Sequence, residues 1–248
     1  MRTIDGREIT APEVTLRIPG CWSGPEEFLK RLPSGCRFSE DRFTLSDGTE
    51  FDLTALEADD KFPGVFASSC LKLPTEEERR QIENYRLNLC LTGRCGSIEA
   101  ARQLMAAGAA ILAAGGAGVF VDNSAVAHGA TDWLALHDGA DNGGVYWAFV
   151  GTARSEDKLY SVGMQILGFR DAIVPRTGNE DYDYRALHSF LGYAAFSGES
   201  IHDGDVVGDA VLPTFRAQQQ PHDRFPKGAP MFNPYGQWRL VPLDAQQN

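Results

Sequence analysis

Cations are scarce in this chain of 248 residues: 23 lysines and arginines stand against 34 aspartates and glutamates, a formal net charge of −11. That balance works against holding a polyanion such as DNA, because such binding rests on neutralising many phosphates. No nucleic-acid partner is expected, and a basic protein partner or a small ligand is easier to accommodate. The local basic pairs, Lys30 with Arg31 and Arg79 with Arg80, sit beside carboxylates and read as solvated helix faces. Cysteine is sparse as well. Cys21, Cys36, Cys70, Cys90 and Cys95 form no C-x-x-C pair and leave one over, which fits a reducing cytoplasm better than a disulfide framework. Cys90 and Cys95 have a spacing found at some metal sites, yet no second Cys or His pair follows at zinc-finger distance, so buried thiols are the simpler reading. No apolar stretch follows Met1, which argues against a secretory leader. Repeats and single-residue tracts are missing. So are the G-x-S-x-G frame of a serine nucleophile and the H-E-x-x-H zinc motif.

What the chain does have is a long apolar run, Leu104 to Val121, without one charged or strongly polar side chain. Its length approaches that of a membrane span. However, eleven of its eighteen residues are Ala or Gly, and the pair Gly115 and Gly116 would break a helix two thirds of the way along. The pattern predicts a helix from about Ile98, a glycine cap, and a short strand over Gly118 to Val121 buried on both faces. Leu104, Met105, Ile111 and Leu112 form one stripe at helical period. The glycines follow a helix and precede a strand, the reverse of a phosphate-binding loop.

Around this unit the periodicities predict strands at Val14–Ile18 and Tyr85–Thr92, and a hairpin of 42–45 with 50–53 across an Asp-Gly turn. Capping boxes are read at Ser23 with Glu26 and at Thr75 with Glu78, each opening a helix. The segment from Phe62 to Leu73 reads as extended, and Val126 to His137 as helical. Strands over Val145–Ala153 and Leu159–Phe169 form a hairpin around the polar Arg154 to Lys158, with Ala172–Val174 extending the second. A helix is expected over Tyr182–Phe196, then short strands near Val206, Phe215 and Trp238.

Four strings, Leu112–Phe120, Val145–Trp147, Tyr160–Phe169 and Asp203–Asp205, set in the order strand, long helix, strand, hairpin, helix, strand, resemble the bacterial family known as domain of unknown function 4261. The resemblance covers about residues 85 to 207. Here Ser161-Val-Gly stands where the family has a Thr, and Gly168-Phe169 where it has Phe-Gly. Because the matching positions are glycines and apolar residues, the resemblance implies a fold and carries no catalytic residue with it.

Two polar clusters are candidate sites. Asp122, Asn123 and Ser124 with His128 follow the buried strand, where α/β folds often bind ligands at a helix N-terminus; the simpler reading is an N-cap. His202, Asp203 and Asp205, with His188 one helix earlier, have residue types and spacing suited to a divalent metal; the simpler reading is a turn and a half-buried helix face. The aromatics Trp133, Tyr146, Trp147, Phe225, Phe232, Tyr235 and Trp238 read as core or as cover for a sheet edge more readily than as a pocket lining.

The expected architecture is α+β: antiparallel sheet with helices packed on one face, ferredoxin-like over residues 85–207. Residues 1–73 are expected to form an N-terminal layer or subdomain, and 74–248 the main domain with an irregular tail. The expected function is a cytoplasmic, non-enzymatic binding or regulatory module, immunity-type among the options, without cofactor or membrane contact. Its partner is a protein or small ligand, and self-association stays open. The alternative is a hydrolase or metal-dependent enzyme using the His and Asp residues named above.

Overall fold

A computed structural model describes residues 2–4, 7–139, 141–208 and 214–243. Met1, Asp5 and Gly6 of the leader reading and Ala140 of the turn before the 145–153 segment lie outside the described residues. The first elements are β1 (Arg2–Ile4), β2 (Arg7–Ile9), β3 (Glu13–Gly20), α1 (Pro25–Arg31), β4 (Arg37–Ser39), β5 (Arg42–Thr44), β6 (Glu50–Glu57), α2 (Phe62–Ser69), α3 (Glu76–Glu83) and β7 (Leu87–Arg94). Next come α4 (Ile98–Ala113), β8 (Gly118–Val121), β9 (Val126–Gly129), α5 (Ala130–Asp138), α6 (Asn142–Phe149), β10 (Gly151–Arg154), β11 (Lys158–Val162) and α7 (Met164–Leu167). The chain closes with β12 (Asp171–Pro175), α8 (Glu180–Phe196), β13 (Val206–Val207), β14 (Phe215–Gln220) and β15 (Gln237–Pro242).

The class is α+β. Strands β1 and β2 form a separate two-stranded sheet, and the rest build two large sheets that are mostly antiparallel. One has the order β4-β5-β6-β7-β3-β8-β9, the other β10-β11-β12-β15-β14-β13, where only β12 and β15 run parallel. The strands of 85–207 therefore divide between two sheets and do not form a single ferredoxin-like sheet. Strand β3 lies between β7 and β8, so α4 carries the chain across a strand contributed by the N-terminal region. One apolar cluster runs from Val14 through Leu104, Trp133 and Phe149 to Leu240.

The glycine break behaves as its chemistry dictates. Helix α4 starts at Ser97, whose hydroxyl accepts from the Ala100 amide, and stops at Ala114. Gly115, at φ 111°, donates to the Leu112 carbonyl and Gly116 to that of Ile111, the paired bonds of a Schellman cap. Strand β8 follows, buried at every residue. No helix among the described residues is long and apolar enough to cross a membrane.

Several segments depart from their sequence patterns. Phe62–Ser69 is a helix: Phe62 and Phe66 stand one turn apart and bury against Tyr85, Phe120 and Ala127, while Pro63 occupies the first turn, where a missing N–H costs nothing. Helices α2 and α3 thus cover one face of the seven-stranded sheet and α4 the other. Val126–Gly129 is a strand and only Ala130–Asp138 is helical. Val145–Phe149 belongs to a helix capped by Asp141, and Met164–Leu167 is one helical turn between two left-handed glycines. Met164–Leu167 is buried throughout, and the one exposed side chain of Val145–Phe149 is the aromatic Trp147, so no polar face marks the period of either run. The first capping box does not form: Gly24 is the N-cap of α1 and no side chain caps it, while Glu27, not Glu26, accepts from the Ser23 amide and hydroxyl.

The second box does more than its pattern states. Thr75 and Glu78 exchange both cap bonds, and the Glu78 carboxylate also accepts from the Thr131 amide in the first turn of α5 at 2.6 Å. One carboxylate therefore serves two helix N-termini, and Gly129 leaves room for it: a Cβ there would lie 2.6 Å from Glu78 Oε2. Burial pushes this carboxyl up, but the bonds from Thr131 and Thr75 outweigh it and hold it below the usual glutamate range. With the folded value depressed, the stabilisation is complete above the unfolded pKa and is lost as pH falls through the folded one. Glu78→Gln should lower stability by about 2 kcal/mol at neutral pH, with the deficit shrinking below about pH 4. Urea unfolding across pH checks this; a deficit unchanged in acid would refute it.

Candidate functional site

The first predicted cluster is a structural turn. Residues 122–125 connect β8 to β9, with Ala125 at φ 53° and both Ser124 and Ala125 donating to the Val121 carbonyl; they cap no helix, which corrects the N-cap reading. Asp122 pairs with Arg17 at 2.7 Å. Asn123 is buried, accepting from the Thr15 amide and donating to the Glu13 and Pro230 carbonyls. Ser124 Oγ is sealed without a partner. His128 is 2% exposed, and both ring nitrogens are taken, by Asp132 at 2.8 Å and by the Ala148 carbonyl at 3.2 Å. With three side chains spent on protein partners and the fourth enclosed, the cluster offers a ligand nothing.

The second cluster is dispersed. His188 is held by Tyr146 Oη at 2.6 Å and Thr152 Oγ1 at 2.8 Å, with Tyr184 and Trp147 rings at 4.1 and 4.8 Å. Burial brings its pKa down to about 4, so the ring is neutral near pH 7, one nitrogen donating and one accepting. His202, Asp203 and Asp205 form an exposed turn: Asp205 accepts from the His202 amide, Asp203 from the Gln219 amide, and Gly204 supplies φ 89°. No group of three or more His, Cys, Asp or Glu among the described residues is placed to hold a metal ion. All five cysteines are free thiols; Cys90 and Cys95 are buried, while Cys21 is exposed.

The residues that do converge are elsewhere. On the six-stranded sheet, alternation divides the side chains cleanly. Ala172, Val174, Ala217, Trp238 and Leu240 are buried, with Trp238 edge-on to Phe190 of α8. The intervening positions face the other way, and there Tyr160, Ile173 and Arg239 are direct cross-strand partners on β11, β12 and β15. Lys158 and Gln220 stand two residues along their own strands from Tyr160 and Gln218, on the same face. The segment between β14 and β15 supplies Asp223 and Arg224, and together with Ser155 and Gln237 these residues line a groove of about 560 Å³.

Arg224 dominates its electrostatics. The guanidinium carbon lies 3.1 Å from the centroid of the Tyr160 ring, with Phe225 at 5.0 Å. Burial pushes its pKa down, against the opposing pull of Tyr160, Asp171 and Asp223. Among the described residues no protein acceptor bonds this guanidinium and no carboxylate pairs with it, and the same holds for Arg239. Asp223 is engaged by Gln237 Nε2 at 3.0 Å. Beneath, Asp171 is fully enclosed, accepting from Ser161, Asn233 and the Met164 amide; burial raises its pKa to about 6. The groove thus has two arginines with unused N–H donors, a lysine paired with Asp157 at 3.6 Å, and one occupied carboxylate. None of these residues stood out in the sequence. The alternation Trp238-Arg239-Leu240 marks the outward face of a strand, but which strands lie side by side is not local information.

Among families, curated proteins and solved structures, none matches the chain.

Proposed function

We propose that the protein is a non-enzymatic binding module and that the groove over β11, β12 and β15 is its receptor for an anionic ligand. The observation that carries this is Arg224: a half-buried guanidinium held by ring stacking, with its hydrogen-bonding edge uncommitted. Burying charged donors without acceptors is costly, and a ligand carboxylate or phosphate supplies what is missing. Arg239 adds charge at the same groove, against the sign of the chain as a whole. The enzymatic alternative finds less support, since His128 and His188 each have both ring nitrogens bonded inside the fold.

The reading includes a cytoplasmic setting, with which five unpaired thiols agree, and a regulatory role in which occupancy alters what the module meets. It also keeps the family likeness: Gly115, Gly163, Gly168 and Gly204, which lie in the strings that carry it, all hold φ between 86° and 112°, so a shared backbone would explain a shared pattern. In a thermal-shift series at constant ionic strength, inorganic phosphate should raise the melting temperature relative to chloride. Arg224→Gln should abolish that rise while leaving the unliganded chain folded, with a cooperative melting transition. An equal rise in the variant would defeat the proposal.

A further inference from the structure

Resting on the receptor reading above, we infer that the ligand is a phosphate monoester carried on a flat ring, the chemistry of a nucleoside monophosphate. Lys158 is paired with Asp157 at 3.6 Å, which leaves Arg224 and Arg239 as the two lining cations without a protein carboxylate partner among the described residues, and they complement a group that carries close to two negative charges at neutral pH. The rest of the protein bears the opposite sign, so a polymer whose phosphates extend past the groove would be repelled, and a single phosphate would not.

Geometry adds the ring. Tyr160, Ile173 and Arg239 stand side by side across three neighbouring strands, a row about 10 Å wide at the usual strand spacing. Its middle is apolar, one end is an aromatic ring already stacked with a guanidinium, and the other is Arg239, a cation without a carboxylate partner among the described residues. A flat apolar body resting on Ile173 brings its edge to the Tyr160–Arg224 stack. Its phosphate then meets the unused edge of Arg224, with Arg239 across the row as a second planar fork that matches phosphate oxygens in pairs. Gln220 and Asp223 at the rim are polar partners for the edge of a heterocycle. The volume, about 560 Å³, falls within the range of small-molecule sites and exceeds what an inorganic anion needs.

Isothermal titration of the full chain at constant ionic strength tests this with three probes: inorganic phosphate, the four nucleoside 5′-monophosphates, and the corresponding uncharged nucleosides. At least one monophosphate should bind about tenfold tighter than inorganic phosphate or better, and the nucleosides should give no measurable heat. Arg224→Gln and Arg239→Gln should each weaken that monophosphate by about tenfold, and Tyr160→Leu should erase its advantage over phosphate. Melting temperatures near that of the unsubstituted chain would show that each variant is folded. Phosphate binding as tightly as every monophosphate would overturn the ring while leaving the anion receptor standing. No binding of phosphate or of any monophosphate would overturn both.

Discussion

Trp133→Ala is expected to lower the free energy of unfolding by about 4 kcal/mol, in the range for removing a large aromatic from a closed core. Trp133 is 0% exposed and the largest fully buried side chain among the described residues. Its ring meets Phe149 edge-on at 5.5 Å and His128 at 5.7 Å, and its Nε1 donates to the Met105 carbonyl at 3.1 Å. The indole fits against α4 because position 108 is glycine: a Cβ there would lie 3.3 Å from Trp133 and 3.1 Å from Leu16. Truncation therefore opens a void where α4 meets α5, and helix backbone cannot collapse far to refill it. Against a typical total stability of about 5–15 kcal/mol, such a loss takes a large share. Urea unfolding measures it, and a loss below about 1.5 kcal/mol would show that the site relaxes freely. Gly108→Ala should be less damaging in the Trp133→Ala background than alone, because the added methyl and the indole compete for the same space.

Gly163→Ala comes next, at about 3–5 kcal/mol. Two costs combine at this position. Its φ of 112° lies where an L side chain is strained, worth about 1–3 kcal/mol. In addition a Cβ would stand 2.2 Å from the Phe149 carbonyl oxygen and 2.9 Å from Ser124 Cβ, so the end of α6 or the β8–β9 turn would have to shift. Neither neighbour is the flexible tip of a side chain. The position also anchors a buried polar seam. The Gly163 amide donates to Gln165 Oε1, Gln165 Nε2 donates to the Asn123 carbonyl, and Asn123 holds β3 through the Thr15 amide. The expected outcome is a much lower denaturation midpoint together with faster amide exchange in residues 122–125. Exchange at 122–125 unchanged from the unsubstituted chain would sink the claim that Gly163 sets how the turn between β8 and β9 meets α7.

These two positions show where local pattern is informative and where it stops. The α4 stripe, the Schellman glycines, the hairpin at 42–53, the Thr75 box and the amphipathic α8 are each decided within about ten residues of chain. Their periodicity or cap chemistry is therefore visible without the fold. The run 145–149 is different, because all five side chains are apolar or aromatic, Trp147 at the surface included, and leave no polar phase to distinguish strand from helix. So is Phe62–Ser69, whose two-phenylalanine stripe is too short to stand out beside Pro63 and Gly64.

The polar clusters invert for a related reason. Asp, Asn, Ser and His adjacent in sequence look functional, yet Asn123 and His128 are used up by partners as distant in the chain as Pro230 and Ala148. By itself the sequence determined the α+β class, the break of the alanine-glycine segment into helix and strand, and the ends of α4 and the start of α3, because caps, turns and amphipathic stripes are short-range physics. Only the tertiary structure decided that β3 separates β7 from β8 and that Lys158, Tyr160, Ile173 and Arg239 share one face beneath Arg224. Strand order depends on burial and hydrogen bonding between segments far apart in the chain, and the groove is a consequence of that order.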